Sequence, residues 1–380
     1  MKLFNMIKPK ILMIFIEPAP YILGLLQALI PICLGQIDVL FLEKNKTQEW
    51  NSTLSKEWLI FPKSFTQKIR LIKNIFIRNQ YDLIHIAGWG EPIFLLIILL
   101  AKFKGVPVSI ETDTPLHYTK FWKSVIKKIF YPPLFSLIRL FLPGGIRQTK
   151  YLQYYGVSSE RIYPVQMTVD TSYIKKVAAT LTKNDRQRIC ERYAIQNDHT
   201  VFLYVGRLEL YKGITDLISA FSLVSQSKTT LLIAGDGSLR KNIEEVVKQD
   251  NRIRYVGRQL DTSLIEHYYA ADVLVLPSRS ESWGLVINEA MAVGRPVIVS
   301  DRVGCIDDLV THRETGLIYN AENIAELKNS LEYMIDVTDE CKIMGKNAAI
   351  KIADWTLENE AKKICQAWDK LVFIEQKVLL

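Results

Sequence analysis

At 380 residues, the chain is long enough for two domains of ordinary size, each with its own hydrophobic core. Its composition, 49% hydrophobic and 23% charged, is in the globular range and excludes an intrinsically disordered chain. The formal net charge of +8 is uneven, because the first 183 residues carry 24 Lys and Arg against 11 Asp and Glu, whereas the remainder carries 24 against 29. The first half is expected to meet an anionic partner: a phosphorylated acceptor, an acidic membrane surface or nucleic acid.

Cysteine usage and apolar runs bear on location. The 5 cysteines are odd in number and show no close pairing, so they indicate neither a zinc site nor a disulfide framework and fit a reducing cytosol. No secretory signal pattern is present, and the longest apolar run, 92–101, is about half as long as a bilayer-spanning helix and is taken as a buried helix. We expect a cytoplasmic protein, with peripheral contact at the inner membrane face as an alternative for its basic half.

The first half alternates strand and helix patterns, which predicts a doubly wound parallel sheet. Apolar runs typical of parallel strands lie at 10–16, 38–42, 58–61, 81–86 and 106–110. Helical patterns lie between them, at 21–35, 65–79 and 92–101.

The stretch 116–143 differs from the rest of this half. Aromatic and aliphatic residues alternate there with five basic residues, Lys120, Lys123, Lys127, Lys128 and Arg139. One interpretation is a pair of ordinary helices packed on the sheet with lysines in water. The other is an interfacial amphipathic helix on an acidic membrane surface.

A strand ending at Asp170 and a charged helical stretch, 171–197, lead into the second half, which repeats the doubly wound pattern. Its predicted strands lie at 200–205, 230–234, 253–256, 273–276, 297–300 and 316–318. We place the boundary near residue 185. The prediction is a first domain, 1–185, a second domain, 186–355, and a final helix, 356–380, that crosses back to the first domain.

The stretch 273–300 reads as a buried strand, a polar turn, a helix, a Gly-Arg-Pro stop and a second buried strand. Loops at the carboxyl ends of such strands bind ligands in open α/β sheets. This loop carries Glu281, and Glu289 follows eight positions later; both could also be solvated surface acids. With Ser282 as N-cap, the helix would offer free N–H groups to an anion.

A second motif, Gly206-Arg207-Leu208 followed by Lys212-Gly213, comes directly after the strand 200–205. Glycine lets the backbone approach a ligand closely, and the two cations suit a diphosphate. The spacing is not that of a Walker loop, and Gly235-Asp236-Gly237 lacks the third glycine of a nicotinamide-binding motif.

Together, the Glu281-Ser282-Trp283-Gly284 to Glu289 segment and the GRLELYKG segment closely resemble the E-x7-E and GRL-x3-KG elements of retaining glycosyltransferases of the GT-B fold, family 4. The resemblance covers most of 145–370. It implies an α/β protein of two doubly wound, Rossmann-like domains facing across a cleft. It also implies that the domain 186–355 binds a nucleoside-diphosphate-sugar donor, that the domain 1–185 is on the acceptor side, and that the anomeric configuration is retained.

The resemblance assigns roles to residues: Glu289 holds the ribose, Glu281 contacts the donor sugar, and Arg207 with Lys212 clamps the diphosphate. The implied donor-binding set is Gly206, Arg207, Lys212, Gly235, Gly257, Arg258, Trp283, Gly284, Leu285 and Glu289. The implied catalytic set is Glu281, Arg207, Lys212 and Asp113.

The first half departs from the family. Residues 17–20, Glu-Pro-Ala-Pro, stand where many relatives have a glycine pair, and 167–170, Met-Thr-Val-Asp, replace Asn-Gly-Val-Asp. Asp113 stands where many relatives have a histidine near the donor sugar, so Asp113 is the candidate contact to the reacting sugar; His85 and His117 are weaker candidates.

The expected function is transfer of a sugar from a UDP- or GDP-sugar to a glycan or lipid-diphosphate-linked acceptor in cell-envelope polysaccharide or lipopolysaccharide synthesis. No metal or other cofactor is expected, because Arg207 and Lys212 can neutralise the leaving diphosphate, and no nucleic acid partner is expected. Two alternatives stay open. The first is another enzyme of this architecture, a nucleotide-sugar epimerase or a phosphorylase, and the second is a non-catalytic binding or scaffold protein.

Overall fold

The computed structural model describes residues 8–44, 58–60, 64–78, 80–116 and 121–378. It divides into two compact units. Unit 1 comprises Met1–Met167 with Leu357–Leu380, and unit 2 comprises Thr168–Thr356.

Within the described residues, each unit contains one six-stranded parallel sheet. The strands of unit 1 are β1 (Lys10–Phe15), β2 (Gln36–Phe41), β3 (Leu59–Ile60), β4 (Leu83–Ala87), β5 (Val108–Thr112) and β6 (Leu140–Pro143). Those of unit 2 are β7 (Thr200–Val205), β8 (Thr229–Ala234), β9 (Ile253–Gly257), β10 (Val273–Leu276), β11 (Val297–Ser300) and β12 (Gly316–Tyr319). The orders are β3-β2-β1-β4-β5-β6 and β9-β8-β7-β10-β11-β12, the doubly wound order of dinucleotide-binding folds.

Helices connect the strands. They are α1 (Pro20–Leu29), α2 (Phe65–Arg78), α3 (Pro92–Lys104), α4 (Phe121–Ser136), α5 (Ile146–Tyr154), α6 (Thr171–Thr180), α7 (Lys183–Arg192), α8 (Ile214–Ser222), α9 (Arg240–Gln249), α10 (Asp261–Ala270), α11 (Leu285–Ala292), α12 (Ile306–Leu309), α13 (Ile324–Asp336), α14 (Thr338–Lys351) and α15 (Leu357–Val378). In the described part of the chain, none of them combines the length and the apolar character that crossing a bilayer requires.

In unit 1, both faces of the sheet are covered, as an apolar parallel sheet requires. Side chains of α2, α3, α4 and α5 pack on one face, and those of α1 and α15 pack on the other. The last helix is held by more than apolar contact, since the Trp368 indole N–H donates to Ser109 Oγ at 3.0 Å and the Trp368 ring lies 5.4 Å from the ring of buried His85.

In unit 2, α6 and α7 pack against α10 and α11, and they belong to this unit. Arg186 on α7 makes a bidentate ion pair with Asp272, just before β10, at 2.9 and 3.0 Å. Ile189 and Cys190 of α7 are buried. The segment 168–185 is held in the same unit, since the hydroxyls of Thr168 and Thr171 donate to Trp355 O at 2.9 and 2.7 Å and Ile174 on α6 is buried. The boundary therefore lies between Met167 and Thr168, not near residue 185.

The structure also differs from the predictions at two places in unit 1. The stretch 140–143, expected to be helical, forms the buried strand β6. The segment after α5, expected to be a strand up to Asp170, is extended beside β6 with Tyr163 N–H donating to Phe141 O at 2.8 Å, but forms no regular strand. Short apolar segments give no periodicity that separates a strand from a helix, which explains the first error.

Loops at the carboxyl edge of the second sheet are packed backbone to backbone. A Cβ on Gly213 would lie 2.0 Å from Pro277 O, and one on Gly235 would lie 1.9 Å from Gly206 O. Leu208 N–H donates to Asp236 O at 2.9 Å. The loops after β7, β8 and β10 thus form one closely fitted layer in which glycine is required.

We predict that Gly213→Ala destabilises the protein more than Gly257→Ala does. Both glycines have φ near +70°, which costs an L-residue about 1–2 kcal/mol, but only Gly213 faces a backbone oxygen, whereas the space around Gly257 is open. The clash should add about 1–3 kcal/mol to the loss in unfolding free energy. Urea denaturation of both variants measures the difference, and equal losses would contradict the fitted layer.

Candidate active site

The predicted site residues of unit 2 lie where the strand order reverses. β7 pairs with both β10 and β8, and the chain leaves β7 and β10 in opposite directions along the sheet. A crevice forms outside the carboxyl ends of strands at such a switch point. Arg207 and Lys212 lie in the loop after β7, and Glu281 lies in the loop after β10.

Lys212 and Glu281 meet directly. The Lys212 ammonium donates to Glu281 Oε2, which also accepts from Ser278 Oγ at 3.1 Å. The Lys212 and Glu281 side chains are 13% and 15% exposed, so water screens the pair less than a surface ion pair. The structure therefore brings together a predicted diphosphate cation and a predicted sugar-binding carboxylate.

Arg207, the second predicted cation, is exposed beside them. Its guanidinium lies 5.5 Å from the centre of the Tyr211 ring, and Lys212 Nζ lies 5.6 Å from the same ring. The backbone carbonyl of Arg207 accepts from the buried Tyr204 hydroxyl at 2.8 Å. Tyr204 thus anchors the backbone of this loop, whereas the exposed Arg207 guanidinium can reorient toward an anion.

Glu289 lies in the second turn of α11 and is partly buried. Its Oε2 accepts from the Tyr268 hydroxyl at 2.6 Å. Burial raises the pKa of Glu289 to about 7, and the hydrogen bond from Tyr268 opposes this rise. A carboxylate enclosed in this way is suited to accept hydrogen bonds from a diol, which would replace the water it has lost.

The start of α11 corrects one prediction. The N-cap is Gly284, at φ +100°, not Ser282, and it makes no side-chain cap. A Cβ at Gly284 would lie 2.9 Å from Val303 Cγ1, so a serine cap would not fit there. Leu285 is the first residue of α11. The N–H groups of the first turn, which the prediction offered to an anion, therefore start at Leu285.

Trp283, also predicted to line the site, is buried and has a structural role. Its indole N–H donates to Asn288 Oδ1 at 3.0 Å, and its ring lies 5.7 Å from that of Trp355. Asn288 in turn donates to Thr168 Oγ1 at 3.1 Å. Only the backbone of Trp283 can therefore take part in binding.

The remaining predicted donor-binding residues lie along the same edge. Gly206 follows β7, and Gly235 follows β8 with its N–H donating to Gly257 O at 2.9 Å. Gly257 ends β9, and Arg258 after it is exposed. They extend this edge of the sheet from β7 across β8 and β9, away from Glu281 after β10.

Asp113 lies in unit 1, exposed after β5. Near it, buried His85 contacts Ser109 Oγ at 2.9 Å through Nδ1 and Glu111 Oε2 at 3.3 Å through Nε2. Since a carboxylate only accepts, Nε2 carries the proton and Glu111 is held in place. His117 lies outside the described residues, and no group of three or more His, Cys, Asp or Glu within them could hold a metal ion.

Tyr268 was missed by sequence reasoning. It lies on α10, 21 residues before Glu289, and no motif links the two positions. Burial, followed by the charge of Glu289, raises the pKa of the Tyr268 hydroxyl well above its usual value, so this hydroxyl keeps its proton and donates. Only packing of α10 beside α11 reveals the contact.

Two doubly wound sheets, with cations and carboxylates at the switch point of the second, confirm the predicted fold class and define an α/β protein of GT-B architecture. A crystal structure of the Anabaena protein HepE in complex with UDP has a TM-score of 0.76 and 17% identity, covering 95% of this chain and 100% of that one.

Residues 185–351 match the family model of glycosyl transferases group 1. An uncharacterized glycosyltransferase of Methanocaldococcus jannaschii is 33% identical over 171 residues, which is 43% of this chain but only 41% of that relative. The D-inositol 3-phosphate glycosyltransferase of Pseudarthrobacter chlorophenolicus is 26% identical over 311 residues, covering 76% of this chain and 70% of the relative. These matches support the predicted class, a transferase enzyme.

We predict that Glu289→Gln stabilises the protein at pH 8 but not at pH 5. Because the pKa of Glu289 is about 7 in the folded chain against 4.5 ordinarily, the folded state loses stability as pH rises between these values. Glutamine has no proton to lose and still accepts from Tyr268. The gain in unfolding free energy at pH 8 should reach up to about 3 kcal/mol.

Melting temperatures measured from pH 5 to pH 8 check this expectation. Glu245→Gln, at an exposed site on α9, is the matched control and should show no such pH trend. A gain of the same size at both pH values would exclude an enclosed carboxyl at position 289.

Proposed function

We propose that the protein is a retaining glycosyltransferase of family 4 that transfers a sugar from a UDP- or GDP-sugar to a glycan or lipid-linked acceptor. The observation that carries the proposal is the contact of Lys212 with Glu281 at the switch point of the second sheet. A cation for the diphosphate and a carboxylate for the sugar hydroxyls are thereby held at neighbouring points of one crevice. The family match of residues 185–351 supports the same activity.

Each side chain then has a chemical task. Arg207 and Lys212 stabilise the negative charge that develops on the departing diphosphate, so no metal is needed. Once Lys212 turns to the phosphate, Glu281 is released to accept hydrogen bonds from the donor sugar, while Glu289 accepts them from the ribose. Attack and departure occur on the same face of the sugar, and the leaving phosphate takes the acceptor proton.

An epimerase, a phosphorylase and a scaffold protein are the competing functions. Each would use the same donor crevice, so the acceptor decides between them. Transfer of a sugar from donor to acceptor supports the proposal. Donor turnover without acceptor, dependence on inorganic phosphate, or binding without turnover would each favour one competitor.

Arg207→Ala should lower kcat by about 30- to 1,000-fold, because it removes roughly 2–4 kcal/mol of leaving-group stabilisation. The control is Arg188→Ala on α7, which removes a different exposed arginine and should leave kcat unchanged. The donor is first identified from the rise in melting temperature with UDP- and GDP-sugars. Wild-type kcat in Arg207→Ala would end the diphosphate-clamp assignment.

The outer faces of α3 and α4 support a membrane-bound setting. Leu95, Leu99 and Phe103 recur every four residues along α3 and are exposed, Phe103 to 85%. The expectation that 92–101 is simply a buried helix is therefore wrong for its outer face. On α4, Ile129 and Phe130 are 63% and 65% exposed. Exposed apolar patches of this kind mark interaction surfaces.

Basic residues accompany these apolar side chains. Lys102 and Lys104 end α3, and Lys128 on α4 lies 4.5 Å from the ring of exposed Tyr154. Both helices pack on the same face of the first sheet, so their outer sides face the same way. Apolar and cationic groups together fit a bilayer with anionic lipids, and we propose that the protein acts peripherally at the inner membrane face on a lipid-diphosphate-linked acceptor.

Co-sedimentation with vesicles tests this setting. The wild-type chain should bind vesicles that contain anionic lipid at low salt, and binding should weaken at 1 M salt as screening increases. Replacing Ile129 and Phe130 by Asp should abolish most binding. The same replacement of Ile343 and Ile350, exposed on α14 of unit 2, should leave it intact. No binding by the wild type at low salt would remove the membrane proposal.

A further inference from the structure

An ion pair outside the sequence motifs joins the two loops of the candidate site. Arg279 follows β10, and its guanidinium binds both carboxylate oxygens of Asp216, with Nε at 2.8 Å from Oδ2 and NH2 at 2.6 Å from Oδ1. Asp216 lies in the first turn of α8, directly after the loop that carries Lys212. A bidentate pair of this kind fixes orientation as well as distance.

Backbone contacts run beside this pair. The N–H groups of Arg279 and Ser280 donate to Tyr211 O at 2.8 and 3.3 Å. The Arg279 side chain therefore ties its own loop to α8, and its main chain ties that loop to the turn that ends at Lys212. Glu281 is two residues further on, with its backbone paired to Val303.

The Asp216 carboxylate is the more buried member of the pair. The Asp216 side chain is only 9% exposed and that of Arg279 is 34% exposed. A carboxylate that is this enclosed needs its partner, because removing the guanidinium leaves a charge that water reaches poorly. The outer contacts, from Glu322 to Arg279 at 3.7 Å and to Arg302 at 2.7 Å, lie between half-exposed side chains and contribute little.

We infer that the Asp216–Arg279 pair is a positioning clamp that sets the approach of Lys212 to Glu281 and so aligns the diphosphate-binding and sugar-binding halves of the site. The effect of the clamp on binding and catalysis rests on the proposed function. The geometry of the ion pair does not. Neither residue is expected to touch substrate. The pair acts through Lys212 and Glu281.

The experiment compares Arg279→Ala with a matched control, Arg186→Ala. Arg186 also forms a bidentate pair, with Asp272 at the opposite, amino-terminal end of β10, and the two guanidinium groups are similarly exposed. Both variants are expected to lower the melting temperature. The readouts are hydrogen exchange of 208–213 and 277–283, the Kd for UDP, and kcat with the identified donor sugar.

The clamp predicts faster exchange in both segments, by about tenfold or more, in Arg279→Ala only. It also predicts that kcat falls and the Kd for UDP rises, each by about 10- to 100-fold, because small misplacement of binding groups has effects of this size. Asp216→Asn should behave like Arg279→Ala, and the double variant should be no worse than either one, as expected for groups that act as a unit. Arg186→Ala should stay within about twofold of the wild type.

Three results would overturn the clamp. One is unchanged exchange in Arg279→Ala. Another is faster exchange with wild-type binding and turnover. The third is a loss in Arg279→Ala that Asp216→Asn does not share, which would place Arg279 on the substrate itself. If the wild-type chain neither binds UDP nor transfers sugar, the proposed function fails instead, and hydrogen exchange still decides whether the pair holds the two loops.

Discussion

The site depends on one contact, the ammonium of Lys212 on the carboxylate of Glu281. These residues belong to loops after different strands, and they meet because β7 and β10 are neighbours in the sheet while being far apart in sequence. Both side chains are mostly out of water, so their attraction is screened less than that of a surface pair. A diphosphate entering here meets a cation that is already held in place, which reduces the ordering cost of binding.

Residues around this contact hold the loops and α11 in place. Close backbone approach at Gly213 and Gly235 brings the loops together. The enclosed Glu289 on α11, held by Tyr268, adds a second carboxylate. Trp283 contributes differently, since its buried indole donates to Asn288 and so holds the start of α11. Binding groups are thus supported by residues that never need to touch a ligand.

Much of this could be predicted from sequence, and the exceptions have physical causes. The strand-helix-strand unit at 273–300 was evident because its buried strands are continuous apolar runs and its glycines stand at turns. Serine is a common N-cap, so the sequence favours Ser282, whereas the helix begins after Gly284, where Val303 leaves no room for a Cβ. The boundary near residue 185 was wrong because contacts distant in sequence, from the Thr168 and Thr171 hydroxyls to Trp355 O, hold α6 in unit 2. Contacts between side chains distant in sequence, such as Tyr268 with Glu289, leave no local signal at all.

The most direct test is a structure determined with a nucleoside diphosphate bound. We expect the diphosphate to lie between Arg207 and Lys212 at the carboxyl end of β7, and the ribose hydroxyls to donate to Glu289. Lys212 should then have exchanged part of its contact with Glu281 for a phosphate oxygen. A nucleotide bound elsewhere, or one that leaves Arg207, Lys212 and Glu289 without contact, would contradict the account.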